Sequence, residues 1–202
     1  MKAIKMLTLA LGLCIMSSYV APAQELSADV TEEVATPKKS KKKDKKKKKA
    51  KAGAVAKALK KVKRASGKYN QKALVYVYLQ SASWCGPCKQ AMPEIVKQYK
   101  EMREDGRAEI VLVGWDMSPD GVKNYIEGYK CKMPAVHKDA KNVGKLPGFS
   151  PASGIPFAIM VDADGKVLHQ GSPYVVAKWK EEVEKYEAAQ AAEEEEAADS
   201  ED

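Results

Sequence analysis

The sequence predicts an α/β protein: a central sheet with helices on both faces, flanked by disordered charged N- and C-terminal tails. Three observations carry that expectation. Ala73–Leu79 (ALVYVYL) and Glu109–Gly114 (EIVLVG) are almost wholly apolar and rich in β-branched or aromatic residues, as strands buried on both faces are. Segments with helical spacing lie before, between and after them. Charge is segregated: nearly every residue from Lys38 to Lys51 is lysine, while Glu181 to Asp202 is strongly acidic.

The first elements concern export rather than fold. Lys2 and Lys5 precede the apolar run Met6–Met16, and Ala21-Pro22-Ala23 offers the small residues a signal peptidase accepts, so residues 1–23 read as a signal peptide. The run is shorter than the ~20 apolar residues a membrane span needs. Cys14 follows Leu13 rather than the small residue that lipid attachment requires. Residues 24–52 form a disordered linker with the polylysine tract, and 190–202 an acidic disordered tail. In both, like charges repel and little apolar area is available to offset chain entropy. The folded domain is expected over 53–189. The net charge of +8 therefore belongs largely to an arm. Lysine without interleaved aromatics attracts anionic surfaces in a salt-sensitive, nonspecific way, so no specific nucleic-acid partner is expected of Lys38–Lys51.

Inside the domain, Val55, Leu59 and Val62 recur at helical spacing, predicting a helix from Gly53 to Ser66-Gly67. The Ala73–Leu79 strand follows. Cys88, Met92, Ile95, Val96 and Tyr99 then trace one helix face, interrupted by Pro93, which removes a backbone donor, and Asp105-Gly106 ends the helix. After Glu109–Gly114 comes a helix over Pro119–Tyr129. Phe157–Val161 and Lys166–Gln170 flank the turn DADG as an antiparallel hairpin. Tyr174 to about Gln190 closes the domain as a helix. The order is β-α-β-α-β-β-α behind one N-terminal helix.

The chemistry centres on Ser81–Ile95, SASWCGPCKQAMPEI. Cys85 sits where a buried strand meets a helix, and unpaired N–H groups at a helix N-terminus stabilise a thiolate. Cys88, one turn in, is shielded, which suits a resolving thiol. Gly86 allows the turn and Pro87 presets its φ. Trp84 offers an apolar platform beside the sulfur. Two other readings compete with a redox pair. A structural disulfide closing so short a loop contributes little through chain entropy. Zinc normally takes four ligands; Cys131 and His137 would nominally complete a set, but a CxxC between a strand and a helix is not built like a zinc ribbon. Redox chemistry is the reading adopted, with no metal and no cofactor.

The chain resembles the thioredoxin superfamily in WCGPCK, in Pro93 eight residues after Cys85, and in GIPFAIMVDADGKVLHQG. SASWCGPC, GWD at Gly114–Asp116 and KMPAV at Lys132–Val136 resemble its tryparedoxin and nucleoredoxin branch and the secreted bacterial thioredoxin-like proteins of TlpA type. The likeness spans about Ala73 to Gly171. It implies a thioredoxin fold with a mixed sheet, a cis-proline at Pro156 facing the cysteine pair, and an Ile155 backbone open to an extended substrate. One departure stands out. Thioredoxin carries a buried aspartate, its proton acceptor, six residues before the first cysteine; here that position is Leu79. Asp116 and Glu94 are the nominal substitutes. Cys131 reads as a small buried hydrophobe or as a regulatory thiol. Trp115 reads as core or pocket wall, and His137 and His169 as loop and strand-surface residues.

The expected activity is a periplasmic or secreted thiol–disulfide oxidoreductase that reduces protein disulfides and is itself reduced by a membrane or soluble electron donor. An oxidase or isomerase using the same residues is the alternative, as is a polylysine-tethered binding protein with a passive domain.

Overall fold

The computed structural model describes residues 53–199; the segments expected as a signal peptide and a polylysine linker, and residues 200–202, lie outside that range. In chain order the elements are α1 (Ala54–Leu59), β1 (Arg64–Ser66), β2 (Val75–Ser81), α2 (Gly86–Asp105), β3 (Ala108–Gly114), α3 (Pro119–Gly128), β4 (Ala135–His137), β5 (Phe157–Asp162), β6 (Val167–Gly171) and α4 (Trp179–Asp199). Short 3-10 turns cover Val143–Lys145 and Pro173–Lys178.

β2 lies at the middle of the sheet, whose order is β1-β4-β3-β2-β5-β6. It runs parallel to β3 from Val75 opposite Ala108 to Ser81 opposite Gly114, and antiparallel to β5. Parallel neighbours need crossovers, which α2 and α3 supply. Every residue of β2 and β3 is buried, because both sheet faces are covered. Val77, Leu79, Ile110 and Leu112 pack with Met92, Ile95, Ile126 and Trp179 of α2, α3 and α4. Tyr76, Tyr78, Val111 and Val113 pack with Val55 and Leu59 of α1 and with Val143 and Leu146. Gly114 is where α3 comes closest: a Cβ there would collide with both methyls of Val122.

α2 keeps Pro93 inside a 20-residue helix. Proline cannot donate to the carbonyl four residues back, that of Lys89. The Tyr129 hydroxyl donates to that oxygen instead, at 3.4 Å. The helix stops at Gly106, which adopts φ 82° and donates to Met102 O, the left-handed cap that glycine favours.

Three expectations need correction. The N-terminal helix ends at Leu59, and Arg64–Ser66 is a strand pairing with Ala135 and Val136. Closing the open edge of β4 outweighs a local pattern in which only Val62 favoured continuing the helix. β4 itself, three residues long, was absent from the expected order. The third concerns the acidic end: α4 runs to Asp199, so much of the stretch expected as a structureless tail is helical. Its residues are mainly Ala and Glu, both strong helix formers, and they continue a helix already nucleated by burial of Trp179 and Val183.

Candidate active site

β2 delivers the chain to the carboxyl edge of the sheet, and its last two residues, Gln80 and Ser81, are polar. Gln80 is fully buried; its Nε2 donates to Ser150 O at 2.9 Å and its Oε1 accepts from the Ala152 amide at 2.9 Å. These two bonds pin the loop that leads to Ile155-Pro156, a cis peptide. The Ser81 hydroxyl lies 3.1 Å from the Tyr125 hydroxyl of α3. Ser83 turns the chain toward α2.

Cys85 is the N-cap of α2, its Sγ accepting the Cys88 amide at 3.2 Å. The two cysteines form a disulfide with Cα atoms 5.2 Å apart. Cys85 is 6% exposed and Cys88 1%, so both are buried and Cys85 is the less enclosed of the two. Ile155 O lies 3.7 Å from Cys85 Sγ. Ala82, Trp115 and Ile155 pack around the pair as a small apolar cluster separate from the two main cores. Gly86 and Pro87 are exposed, and nothing approaches within 4 Å of where a Gly86 Cβ would sit. Trp84 is 61% exposed, yet its Nε1 donates to Trp115 O at 3.3 Å, which steadies the ring beside the disulfide.

Asp116 and Glu94 part company. Asp116 is buried; its Oδ1 accepts from both the Ser83 amide (3.1 Å) and the Ser83 hydroxyl, and its Oδ2 has no partner among the described residues. It thus ties the end of β3 to the segment carrying the cysteines. Glu94 lies on the exposed side of α2, accepting from Gln98 at 3.1 Å, and the structure does not bring it to the pair.

His137 belongs to the same support. The Asp139 amide donates to its Nδ1 at 3.2 Å, so the proton resides on Nε2, which donates to Asp116 O at 2.8 Å. His169 is distant in role, 3.1 Å from Glu182 on α4. Cys131 is free and buried in the larger core, where burial pushes its thiol up from the usual range. It is not in the cluster around Cys85 and Cys88, so the nominal four-ligand set is not assembled.

Residues 71–167 match the family model described as Thioredoxin-like. That segment is a thioredoxin-like domain. Its sheet, helix placement and cis-proline are those of the thioredoxin fold. Thiol-disulfide oxidoreductase ResA of Bacillus anthracis is 33% identical over 105 residues, covering 52% of this chain and 56% of that protein. Probable nucleoredoxin 1 of Arabidopsis thaliana is 30% identical over 102 residues, 49% of this chain and 17% of that one. Native tryparedoxin I of Crithidia fasciculata superposes with a TM-score of 0.49 at 27% identity, covering 62% of this chain and 92% of that chain. The chain spans about half the length of the ResA proteins it matches.

Sequence reasoning overlooked Gln80 and Ser83 in the thioredoxin-like domain. A signal was present for Gln80: an uncharged polar residue near the end of an otherwise apolar strand, where a buried amide requires hydrogen-bond partners.

Proposed function

We propose that this protein is an extracytoplasmic thiol–disulfide oxidoreductase that reduces protein disulfides through Cys85 and Cys88. One observation carries the reading: Cys85 caps a 20-residue helix and is the less enclosed of the pair, 6% exposed against 1% for Cys88. In the reduced protein the Cys88 amide and the positive end of α2 stabilise a Cys85 thiolate. That thiolate attacks one sulfur of a substrate disulfide, forming a mixed disulfide and releasing the other sulfur as a thiolate. Cys88 then attacks Cys85 Sγ, which frees the second substrate thiol and forms the Cys85–Cys88 disulfide. Two electrons pass to the substrate, and a dithiol donor, membrane-bound or soluble, restores the pair.

Ile155 and Pro156 carry the backbone against which an extended substrate pairs, with Trp84, Gly86 and Pro87 as the opposite wall. Asp116, the buried carboxylate held to Ser83, takes the proton of Cys88 as it becomes a nucleophile. The signal peptide and the extracytoplasmic setting rest on the N-terminal sequence. The polylysine tract acts outside catalysis, in nonspecific attraction to anionic surfaces.

The test pairs a trap with a potential. A Cys88→Ser protein should accumulate mixed disulfides through Cys85 in envelope extracts, and the wild-type couple should equilibrate near the thioredoxin value of about −270 mV. A potential near about −120 mV would make the protein an oxidant instead. Absence of any trapped protein would count against protein substrates.

A further inference from the structure

Not one Asp or Glu occurs between Gly53 and Pro93, and Lys57, Lys60, Lys61 and Lys63 of that stretch lie in α1 or directly after it. Lys57, Lys61 and Lys145 rim a hollow of about 430 Å³ whose floor is Ala54 and Ala58. Asn142 closes its side, its Nδ2 donating to Lys61 O at 3.0 Å. None of the three lysines has an acidic partner among the described residues.

The complementary surface is the end of α4. Three of its four earlier acids are engaged, Glu181 and Glu182 with Lys185 and Glu187 with Arg107, while Glu184 has no ion-pair partner among the described residues. Glu193, Glu195 and Glu196 are exposed and have no ion-pair partner among the described residues. Alanines 188, 189, 191 and 192 leave this part of the helix slim, able to lie close to a floor of alanines.

The two surfaces are neighbours. The Ala54 and Val55 amides donate to Asp164 Oδ1 (3.4 Å) and Ala163 O (3.0 Å) in the β5–β6 turn. Across that turn Asp164 lines a second hollow together with Tyr186, Ala189 and Glu193 of α4. Within one chain no described ion pair joins the acids to the lysines. Adjacent complementary patches are satisfied together by a two-fold axis, each patch meeting the other kind on the facing copy.

We propose that a second copy of this chain docks here, the acidic end of α4 from each copy lying in the lysine-rimmed hollow beside α1 of the other. Single exposed ion pairs are weak, so the contact depends on several pairs acting at once, twice over, around an apolar alanine floor. Salt screens such pairs, making the dimer a low-salt species.

Sedimentation equilibrium of the full mature chain tests this. Wild type should show twice the monomer mass at low salt and the monomer mass at high salt. A Lys57→Glu/Lys61→Glu/Lys145→Glu protein should be monomeric at low salt, as should Glu193→Lys/Glu195→Lys/Glu196→Lys. Mixed in equal amounts, the two should recover the dimer mass, since each supplies what the other has reversed. Unchanged circular dichroism checks that both remain folded; if either is misfolded, Lys57→Gln/Lys61→Gln and Glu193→Gln/Glu196→Gln replace them, and each must weaken association at least tenfold. Monomeric wild type at low salt overturns the proposal, as does a lysine-reversed protein that still associates, or a mixture that does not. Monomeric wild type held by vesicles of anionic phospholipid would assign the hollow to a lipid surface and likewise overturn it.

Discussion

At the carboxyl end of β3 the buried carboxylate of Asp116 takes two hydrogen bonds from Ser83 and none from a cation. At the amino end of the same strand the buried carboxylate of Glu109 accepts the Asn70 amide at 2.6 Å and the Arg103 guanidinium at 3.1 Å. Each leaves one oxygen without a partner among the described residues. Each end also has a buried cysteine: Cys85, 6% exposed, caps α2, whereas Cys131, 8% exposed, belongs to the core cluster with Tyr99 and Met133. The ingredients are similar and the placement differs. At one end the carboxylate braces, through Ser83, the segment that carries Cys85. At the other it anchors Asn70, whose side chain also donates to Gly106 O at 2.7 Å, tying the loop before β2 to the end of α2. One end is arranged for exchange and the other for stability.

Replacing the cysteines gives the largest contrast. Cys85→Ser should abolish disulfide reductase turnover, and Cys131→Ala should leave it within about twofold while costing about 1 kcal/mol of stability. Insulin reduction and urea unfolding read the two effects. Loss of turnover in Cys131→Ala would erase the distinction between the ends.

Replacing the carboxylates sharpens it. Asp116→Asn should slow resolution of the mixed disulfide about 100-fold, the scale of general acid–base catalysis, with stability little changed. Rapid quench with mass detection of the mixed disulfide would show it.

Glu109→Gln should act on stability instead. Burial pushes the Glu109 carboxyl up to about 7 despite the Asn70 amide and Arg103. Its folded pKa therefore exceeds the unfolded value of 4.5. The folded state binds more protons across that interval, so this group's stabilising contribution is present below about pH 4.5 and is lost as pH rises to about 7. Wild type should lose on the order of 2 kcal/mol between about pH 5 and about pH 8 from this site, and Glu109→Gln should flatten that slope. Urea midpoints at the two pH values decide it; an unchanged slope in the variant would remove Glu109 from the account.

The smallest effect concerns the helix that joins the ends. Tyr129→Phe withdraws the donor that satisfies Lys89 O behind Pro93, and should cost about 0.5–1 kcal/mol without altering turnover.

How much of this was legible in the sequence follows the same division. β2, β3 and the hairpin could be read because local pattern and tertiary role agree there, whereas the cis-proline at Pro156 came from the family resemblance rather than from local pattern. β1 and β4 could not: three residues carry no periodicity, and their pairing depends on an edge that exists only after β3 is in place. Asp116 and Glu94 looked equivalent as acids. Only the structure separates a carboxylate held against Ser83 from one on an exposed helix face. Gln80 and Glu109 were passed over because each is a single polar residue in an apolar strand, and its partners, Ser150 and Ala152 or Asn70 and Arg103, lie outside that strand.

The central claim is that exchange chemistry begins at Cys85 and nowhere else. Its most direct test is the rate of alkylation of each thiol in the fully reduced protein at neutral pH, followed by peptide mass mapping. Cys85 should label at least 10-fold faster than Cys88 and Cys131, because it alone caps a helix N-terminus, where the reactive thiolate is stabilised. Equal labelling of Cys85 and Cys88, or faster labelling of Cys131, would contradict the account.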